Sequence, residues 1–262
     1  MGEAAPQRVV ILGAGRVATH LVPALVKAGV EVLQVWSRTE EAARCLAGPL
    51  GLPYTACWDE VVMDADIYIA CVTDGALPEV AARIVERVGR EPLYLHTAGS
   101  IGMEMWRRYG AEHYGILYPL QTFSKEREVD MREVSLFVEA FDGVTLARVE
   151  ALALGLSGKV YRADSKLRAQ LHIAAVFACN FTNAMYAVAH HLLKEAGIPF
   201  EVLLPLIDET ASKVHTLAPR EAQTGPAVRG DEVVMQSHLE ALSGDEELRD
   251  IYATISNYIN KK

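Results

Sequence analysis

The feature that most constrains this chain lies near its N-terminus, where a short apolar run meets a glycine-rich turn. Val9–Leu12 has the composition of a buried strand, and Gly-Ala-Gly-Arg-Val-Ala follows directly at positions 13–18. The pattern then enters a helical stretch, Thr19–Ala28, and Gly29 is placed to end it. A strand, a G-x-G-x-x-A turn and a helix in this order are typical of pyrophosphate binding in a doubly wound α/β sheet.

Each small residue of the turn has its own role in that prediction. Gly13 permits the tight turn, Gly15 lets the backbone approach the phosphates, and Ala18 lets the helix pack on the strand. The helix N-terminus presents free N–H groups and a positive dipole end to the anion. A purely structural glycine-rich turn is the alternative. The predicted pyrophosphate-binding residues are Gly13, Gly15, Arg16, Val17 and Ala18.

The end of the second strand indicates which dinucleotide binds. Val30–Trp36 reads as a buried strand and is followed by Ser37, Arg38 and Thr39. NAD enzymes usually carry an acidic residue here for the ribose 2′-hydroxyl. An arginine with two flanking hydroxyls suits a 2′-phosphate instead, so these three residues predict NADP. The alternative is that Ser37 only caps the next helix, with Glu40 completing a capping box.

Composition limits the class of protein and its partners. Hydrophobic residues make up 51% of the 262 residues, enough for a sizeable core, and the net charge of −9 disfavours nucleic acid or an anionic membrane as partner. The four cysteines are scattered without a C-x-x-C pair, which is typical of reduced thiols in a cytoplasmic protein. No signal pattern, metal-ligand spacing or uninterrupted membrane-length apolar run is seen. We therefore expect a cytoplasmic protein without a metal.

Two parts are expected along the chain. Strands and helices alternate up to Arg162, which predicts an α/β, Rossmann-type doubly wound parallel sheet over residues 1–162. An all-α domain is expected over 163–262, for substrate and dimerisation, with one long helix from an Asp164 cap to about Ala196. Apolar residues occupy more than one face of that helix, so we expect a homodimer formed through the helical domain.

The carboxyl ends of the later strands should carry the rest of the site, because ligands of open α/β sheets bind beyond those ends. We expect the cofactor to contact the loops that follow Ile67–Thr73 and Pro92–Thr97, and a small-molecule substrate to contact the loop after Tyr118. Ordinary strand-end turns are the alternative. The predicted residues are Val72, Thr73, Thr97 and Ala98 for the cofactor, and Gln121 and Thr122 for the substrate.

Three further polar residues are candidates for catalysis. His172, Asn180 and Asn183 interrupt the apolar long helix, and at 100° per residue His172 and Asn183 share a face. They either pair structurally or line a pocket. Imidazole titrates near neutrality, so His172 is the candidate proton donor, with Asn180 orienting substrate. Arg229, in a glycine-flanked turn before Asp231, is the candidate clamp for an anionic group.

Several motifs together resemble a known bacterial family. They are the turn at 13–18, His96–Ser100, Pro119–Phe123, His172–Phe181 and Gly225–Asp231 with His238-Leu239. The family pairs a Rossmann domain with the helical domain of unknown function 2520, and its members carry the label NADP oxidoreductase. It is similar, more distantly, to pyrroline-5-carboxylate reductase, ketopantoate reductase and the 3-hydroxyacid dehydrogenases.

The resemblance implies NADP-dependent hydride transfer with a small carbonyl, imine or alcohol. A non-catalytic NADP-binding sensor or scaffold is the alternative, because a fold alone does not establish catalysis. This chain departs from the family at Tyr118, where histidine is common. Its Lys166 is followed one turn later by Gln170 rather than asparagine, so the hydroxyacid dehydrogenase mechanism does not transfer.

Overall fold

The computed structural model describes residues 7–261 and divides into two compact units, split after Cys179. The first unit contains every strand seen in the described residues and the start of the long helix. The second unit, from Asn180 onward, is helical. The sheet ends with Arg162, as predicted, while the functional division at residues 162 and 163 stays a prediction.

The first unit is built on one eight-stranded sheet of order β3-β2-β1-β4-β5-β6-β7-β8. The chain starts at β1 and winds outward in both directions, which is the predicted doubly wound arrangement. The strands are β1 Arg8–Leu12, β2 Glu31–Trp36, β3 Tyr54–Thr55, β4 Ile67–Ala70, β5 Leu93–His96, β6 His113–Leu120, β7 Ser135–Ala140 and β8 Val160–Arg162.

One strand pair differs from the predicted parallel sheet. β6 and β7 are antiparallel, while every other neighbouring pair is parallel. The connection between Leu120 and Ser135 contains a 3₁₀ turn, Met131–Glu133, and no α-helix. Without a crossover helix the chain cannot return to the same end of the sheet, so β7 runs back along β6.

The helices of the first unit cover both faces of the sheet. They are α1 Arg16–Lys27, α2 Glu40–Ala47, α3 Leu77–Val88, α4 Glu104–Arg108, α5 Gly143–Leu156 and α6 Ser165–Ala175. Alternate residues of β1 enter different cores: Val9 and Ile11 pack with α1, α2 and α5, while Val10 and Leu12 pack with α3 and α4. Burial on both faces explains why this strand is apolar without alternation.

The long helix is present but irregular. It is continuous over Ser165–Glu195, with a π-helical turn, Val176–Phe181, between α6 and α7 Thr182–Glu195. Asp164 caps it as predicted, with Oδ1 accepting from Leu167 N–H at 2.7 Å. A π turn holds an additional residue, so positions beyond it rotate by about 100°. The predicted common face of His172 and Asn183 assumed a regular α-helix and is wrong.

By length and composition alone, the same segment is long and apolar enough to cross a membrane. A single helix of this kind is weak evidence for a span, because core helices of other proteins meet the same criterion. The segment ends before Gly197, whose φ of 69° is the left-handed conformation in which glycine commonly follows a helix.

The rest of the second unit consists of short helices with few buried side chains. They are α8 Leu204–Lys213, α9 Pro226–Arg229, α10 Glu232–Ala241 and α11 Glu246–Asn260. Asp231 and Asp245 cap α10 and α11 through their side chains. Among the described residues 180–261, only Ala227 is buried.

Candidate functional site

The glycine-rich turn lies where β1 and β4 end side by side. Gly13 has φ of 115°, and a Cβ there would stand 2.7 Å from the carbonyl oxygen of Cys71. The protein itself therefore requires glycine at this position. A Cβ on Gly15 would meet only an ordinary contact at 3.6 Å, and Gly15 directly precedes α1 as its N-cap.

This geometry fits a dinucleotide. A Cβ on Gly15 would meet only that one ordinary contact, the first turn of α1 begins directly after it with N–H groups that have no partner within the helix, and Ala18 is fully buried against the sheet. Arg16 is exposed and Val17 half-buried at the beginning of the same helix. These residues would hold the pyrophosphate, as the sequence predicted from the order of strand, turn and helix.

The end of β2 carries the three residues predicted to select NADP. Thr39, not Ser37, is the N-cap of α2, and it makes no side-chain capping bond, so the capping-box alternative is wrong. Ser37 is buried and its N–H donates to the carbonyl of Thr55 at 3.1 Å. Arg38 is exposed, and none of the ion pairs seen in residues 7–261 uses it. Its guanidinium is available for a 2′-phosphate.

The loops that follow β4 and β5 meet at the same edge of the sheet. Val72 contacts the glycine turn, with its Cγ1 2.9 Å from where a Gly13 Cβ would stand. Thr73 is exposed, Thr97 is buried and Ala98 is half-buried. Thr97 N–H donates to the carbonyl of Ala70 at 3.2 Å, which gives this residue a structural role as well. All four lie where the cofactor is predicted.

His172 lies at this edge of the sheet and contacts Tyr118, which the sequence marked only as a departure from the family pattern. β5 ends at His96, which pairs with Ile116, while β6 continues to Leu120 and carries Tyr118 beyond the end of β5. The Tyr118 hydroxyl is 3.3 Å from His172 Nδ1. Polar side chains 54 positions apart are thus joined beside the predicted cofactor loops.

Gly99 sets how closely this pair approaches the β5 loop. A Cβ on Gly99 would stand 2.8 Å from Tyr118 Cζ and 2.9 Å from His172 Nδ1. Such distances are shorter than real Cβ contacts, so any larger residue would displace the tyrosine or the histidine. The loop backbone therefore packs directly against both functional groups.

A buried ion pair supports the helix that bears His172. Arg168 is 1% exposed and donates to Glu139 Oε2 at 2.5 Å and to the carbonyl of Ile101 at 2.7 Å. It lies one helical turn before His172, so these bonds fix α6 against β7 and against the chain after β5. The sequence did not predict this network, because nothing near Arg168 in the chain points to Glu139.

Burial keeps the neighbouring titratable groups neutral. Desolvation, and then the charge of Arg168, lower the pKa of His96 to about 3. Its Nδ1 accepts from Ala98 N–H at 3.2 Å, so the remaining proton is on Nε2. Desolvation also raises the pKa of Tyr118 despite the nearby Arg168, with Asp74 adding to the rise. Tyr118 is therefore a phenol at neutral pH, and its hydroxyl can either donate to or accept from His172 Nδ1.

The predicted substrate loop is attached to the pyrophosphate-binding helix. Gln121 and Thr122 are exposed, and the Gln121 side chain accepts from Thr122 N–H at 2.7 Å. In the same loop, the carbonyl of Ser124 is hydrogen-bonded to Nε2 of His20, which lies in α1, at 2.7 Å. The His20 ring also stacks on Phe123. His20 was not a predicted site residue, since a lone histidine in an amphipathic helix gives no signal.

Asn180 and Arg229 belong to the second unit. Asn180 is exposed in the π turn, and Arg229 is exposed at the end of α9, before Gly230 in the left-handed conformation. Their catalytic roles stay predictions. Among the described residues, no group of three histidine, cysteine or acidic side chains could hold a metal ion.

Comparisons with known proteins give the family. Residues 8–96 match the family described as NADP oxidoreductase, coenzyme F420-dependent, and residues 134–259 match the domain of unknown function 2520. A solved structure of a candidate NADP oxidoreductase from Bacteroides fragilis is 48% identical, with a TM-score of 0.93 over 98% of this chain and 99% of that one. No curated protein matches.

Two other solved structures share the fold at low identity. An imine reductase from Myxococcus stipitatus in complex with NADP+ is 19% identical, with a TM-score of 0.65 over 97% of this chain and 92% of that one. A 1-pyrroline-5-carboxylate reductase from Streptococcus pyogenes is 14% identical, with a TM-score of 0.63 over 99% and 100%. The chain belongs to the NADP oxidoreductase family that carries domain 2520, and this assignment confirms both the resemblance and NADP as the predicted cofactor.

Proposed function

We propose that this member of the NADP oxidoreductase family transfers hydride between the nicotinamide of NADP and a small carbonyl, imine or alcohol, with His172 as the proton donor. The observation that carries the proposal is the bond between His172 Nδ1 and the Tyr118 hydroxyl, which lies against Gly99 at the carboxyl edge of the sheet. Ligands of open α/β sheets bind at that edge.

In this proposal, each predicted site residue has its own role in binding the cofactor or the substrate. The glycine turn and the start of α1 bind the pyrophosphate, and Arg38 binds the 2′-phosphate. NADP supplies the hydride chemistry when bound. As the imidazolium, His172 donates its Nδ1–H to the Tyr118 hydroxyl oxygen and holds its Nε2 proton for a substrate atom; the transfer leaves a neutral imidazole. Gln121 and Thr122 of the first unit contact substrate. For Asn180 and Arg229 of the second unit, the proposed roles are to orient a substrate and to hold an anionic group.

The second candidate function is a non-catalytic NADP-binding sensor or scaffold. The same glycine turn and Arg38 would serve it, since neither requires a proton donor. The buried Arg168–Glu139 pair favours catalysis, because it holds α6, and with it His172, against the sheet edge. A protein that only binds NADP has no need of that precision.

We further propose that the protein is a cytoplasmic homodimer joined through its helical half, with neither nucleic acid nor membrane as a partner. Many large apolar side chains of residues 180–261 are exposed on the single chain, for example Val202, Leu206 and Val233. Exposed apolar surface of this extent usually marks an interface. The net charge of −9 supports the exclusion of nucleic acid.

The test begins with a thermal-shift screen of small carbonyls, imines and alcohols in the presence of NADP, followed by turnover measured from NADPH absorbance. His172→Ala should lower turnover about 10²–10⁴-fold and leave the NADP dissociation constant unchanged, because general acid catalysis is lost and the pyrophosphate site is not. His191→Ala, an exposed histidine on the same long helix, is the matched control and should retain turnover.

Two results would contradict the proposal. Retained turnover in His172→Ala would remove the histidine as proton donor. Tight NADP binding by the wild-type protein without turnover of any member of the screen would favour the sensor function instead.

A further inference from the structure

We infer that Asp74 is the counter-ion of a positively charged substrate nitrogen, so that the site takes an amine or its protonated imine in preference to a neutral carbonyl or alcohol. The inference rests on the proposed function and selects one substrate class within it. Asp74 was not among the predicted site residues; it lies in the loop that follows β4, next to Thr73.

The position of the carboxylate follows from a short chain of contacts. Ser100 Oγ donates to Asp74 Oδ2 and thereby joins the loops after β4 and β5. Ser100 directly follows Gly99, and a Cβ on Gly99 would collide with both Tyr118 and His172. Asp74 is thus bonded to Ser100, and Gly99, the residue before Ser100, packs against the tyrosine–histidine pair.

The accessible charge at this place is negative. Asp74 is exposed, and none of the ion pairs in the described part of the chain includes it. The neighbouring cation, Arg168, is buried and already paired with Glu139. Burial raises the pKa of Tyr118, the charge of Arg168 opposes this rise, and the charge of Asp74 adds to it.

This charge distinguishes among the three substrate classes. A carboxylate accepts hydrogen bonds and cannot donate one, so it gives no bond to a carbonyl oxygen. It can accept from an alcohol, but only a cationic N–H donor adds direct attraction between opposite charges to the hydrogen bond. It also favours the protonated form of an imine, since an opposite charge within a few ångströms stabilises the charged state.

The experiment compares two five-membered rings that differ in charge. Pyrrolidine, protonated at neutral pH, and cyclopentanone are titrated into the full-length protein saturated with NADP+, with binding followed by calorimetry. We expect pyrrolidine to bind about tenfold more tightly, and Asp74→Asn to abolish this preference. Ser100→Ala is the matched control, because it removes the hydrogen bond to Asp74 but keeps the charge. This variant should preserve most of the preference for pyrrolidine.

NADPH binding to Asp74→Asn, followed by fluorescence, separates a substrate role from a cofactor role. Unchanged affinity supports the inference, and weakened affinity overturns it, because the carboxylate would then serve the cofactor. Equal binding of the two rings, or no measurable pyrrolidine binding, also overturns it. These measurements need no turnover: cation-selective binding by an inactive protein would contradict only the proposed catalysis, and turnover without charge preference would contradict only the counter-ion.

Discussion

The two units of this protein differ in how far each one buries its own apolar residues. The first unit packs two cores, one on each face of the sheet, and residues such as Val9, Ile69 and Trp106 are fully buried. In the described part of the second unit only Ala227 is buried, although α7, α8, α10 and α11 all carry apolar side chains.

This difference indicates where each unit obtains its stability. The first unit has the buried area to fold around its own sheet and to hold the tyrosine–histidine pair in place. The exposed apolar residues of the second unit would gain most from a covering surface, which the proposed dimer supplies. Substitutions in the first unit should therefore act on folding and cofactor binding, and substitutions of exposed apolar residues in the second should act on assembly.

The largest effect is expected from Glu139→Gln in the first unit. Arg168 would remain buried without a counter-charge, which typically costs about 3–5 kcal/mol of unfolding free energy. Urea unfolding followed by tryptophan fluorescence measures this loss. Glu133→Gln removes an exposed partner of Lys159 and is the control, expected to change little. A similar stability for both variants would contradict the structural role of the buried pair.

A matched pair of leucines tests the second unit. Leu206 in α8 is 63% exposed and Leu154 in α5 is 62% exposed. Leu206→Glu should weaken the dimer about 10–100-fold, because it places a charge in the apolar contact, whereas Leu154→Glu should leave assembly unchanged. Sedimentation equilibrium across a concentration series measures both. A wild-type protein that stays at the 28.7 kDa of one chain at micromolar concentration would refute the dimer.

Two exposed arginines, one in each unit, should change ligand binding and leave folding and assembly intact. Arg38→Ala should weaken NADP about 10–100-fold and leave NAD binding nearly unchanged, because only NADP carries the 2′-phosphate. Arg229→Ala should instead raise the apparent KM for substrate without affecting NADP. Fluorescence titration with each cofactor and steady-state kinetics separate the two. Equal loss of NADP and NAD in Arg38→Ala would contradict the assigned contact.

Local sequence patterns predicted the parts of the fold that depend on local interactions. The glycine turn after β1, the Asp164 cap and the end of the sheet near Arg162 all agree with the structure. Each rests on residues a few positions apart, such as a capping side chain or an apolar strand before glycine.

The features that the sequence did not predict depend on contacts between residues that are far apart in the chain. Tyr118 and His172 are 54 positions apart, and Arg168 and Glu139 are 29 apart, so no spacing rule joins them. The antiparallel β7 depends on a connection that lacks a helix, and the π turn has no compositional signal. The error at Asn183 came from assuming a regular α-helix where the chain has a π turn, and the capping box at Ser37 fails because α2 begins only at Glu40.

The extension of β6 beyond the end of β5 has a consequence for the entropy of catalysis. Tyr118 lies within a strand that remains paired to β7 through Leu120, so its backbone is fixed when the protein folds. A hydroxyl borne on a mobile loop would have to be ordered each time substrate binds, at about 1–2 kcal/mol per residue fixed. Here that ordering is complete before any ligand arrives, and the binding free energy of the substrate remains available to position the substrate itself.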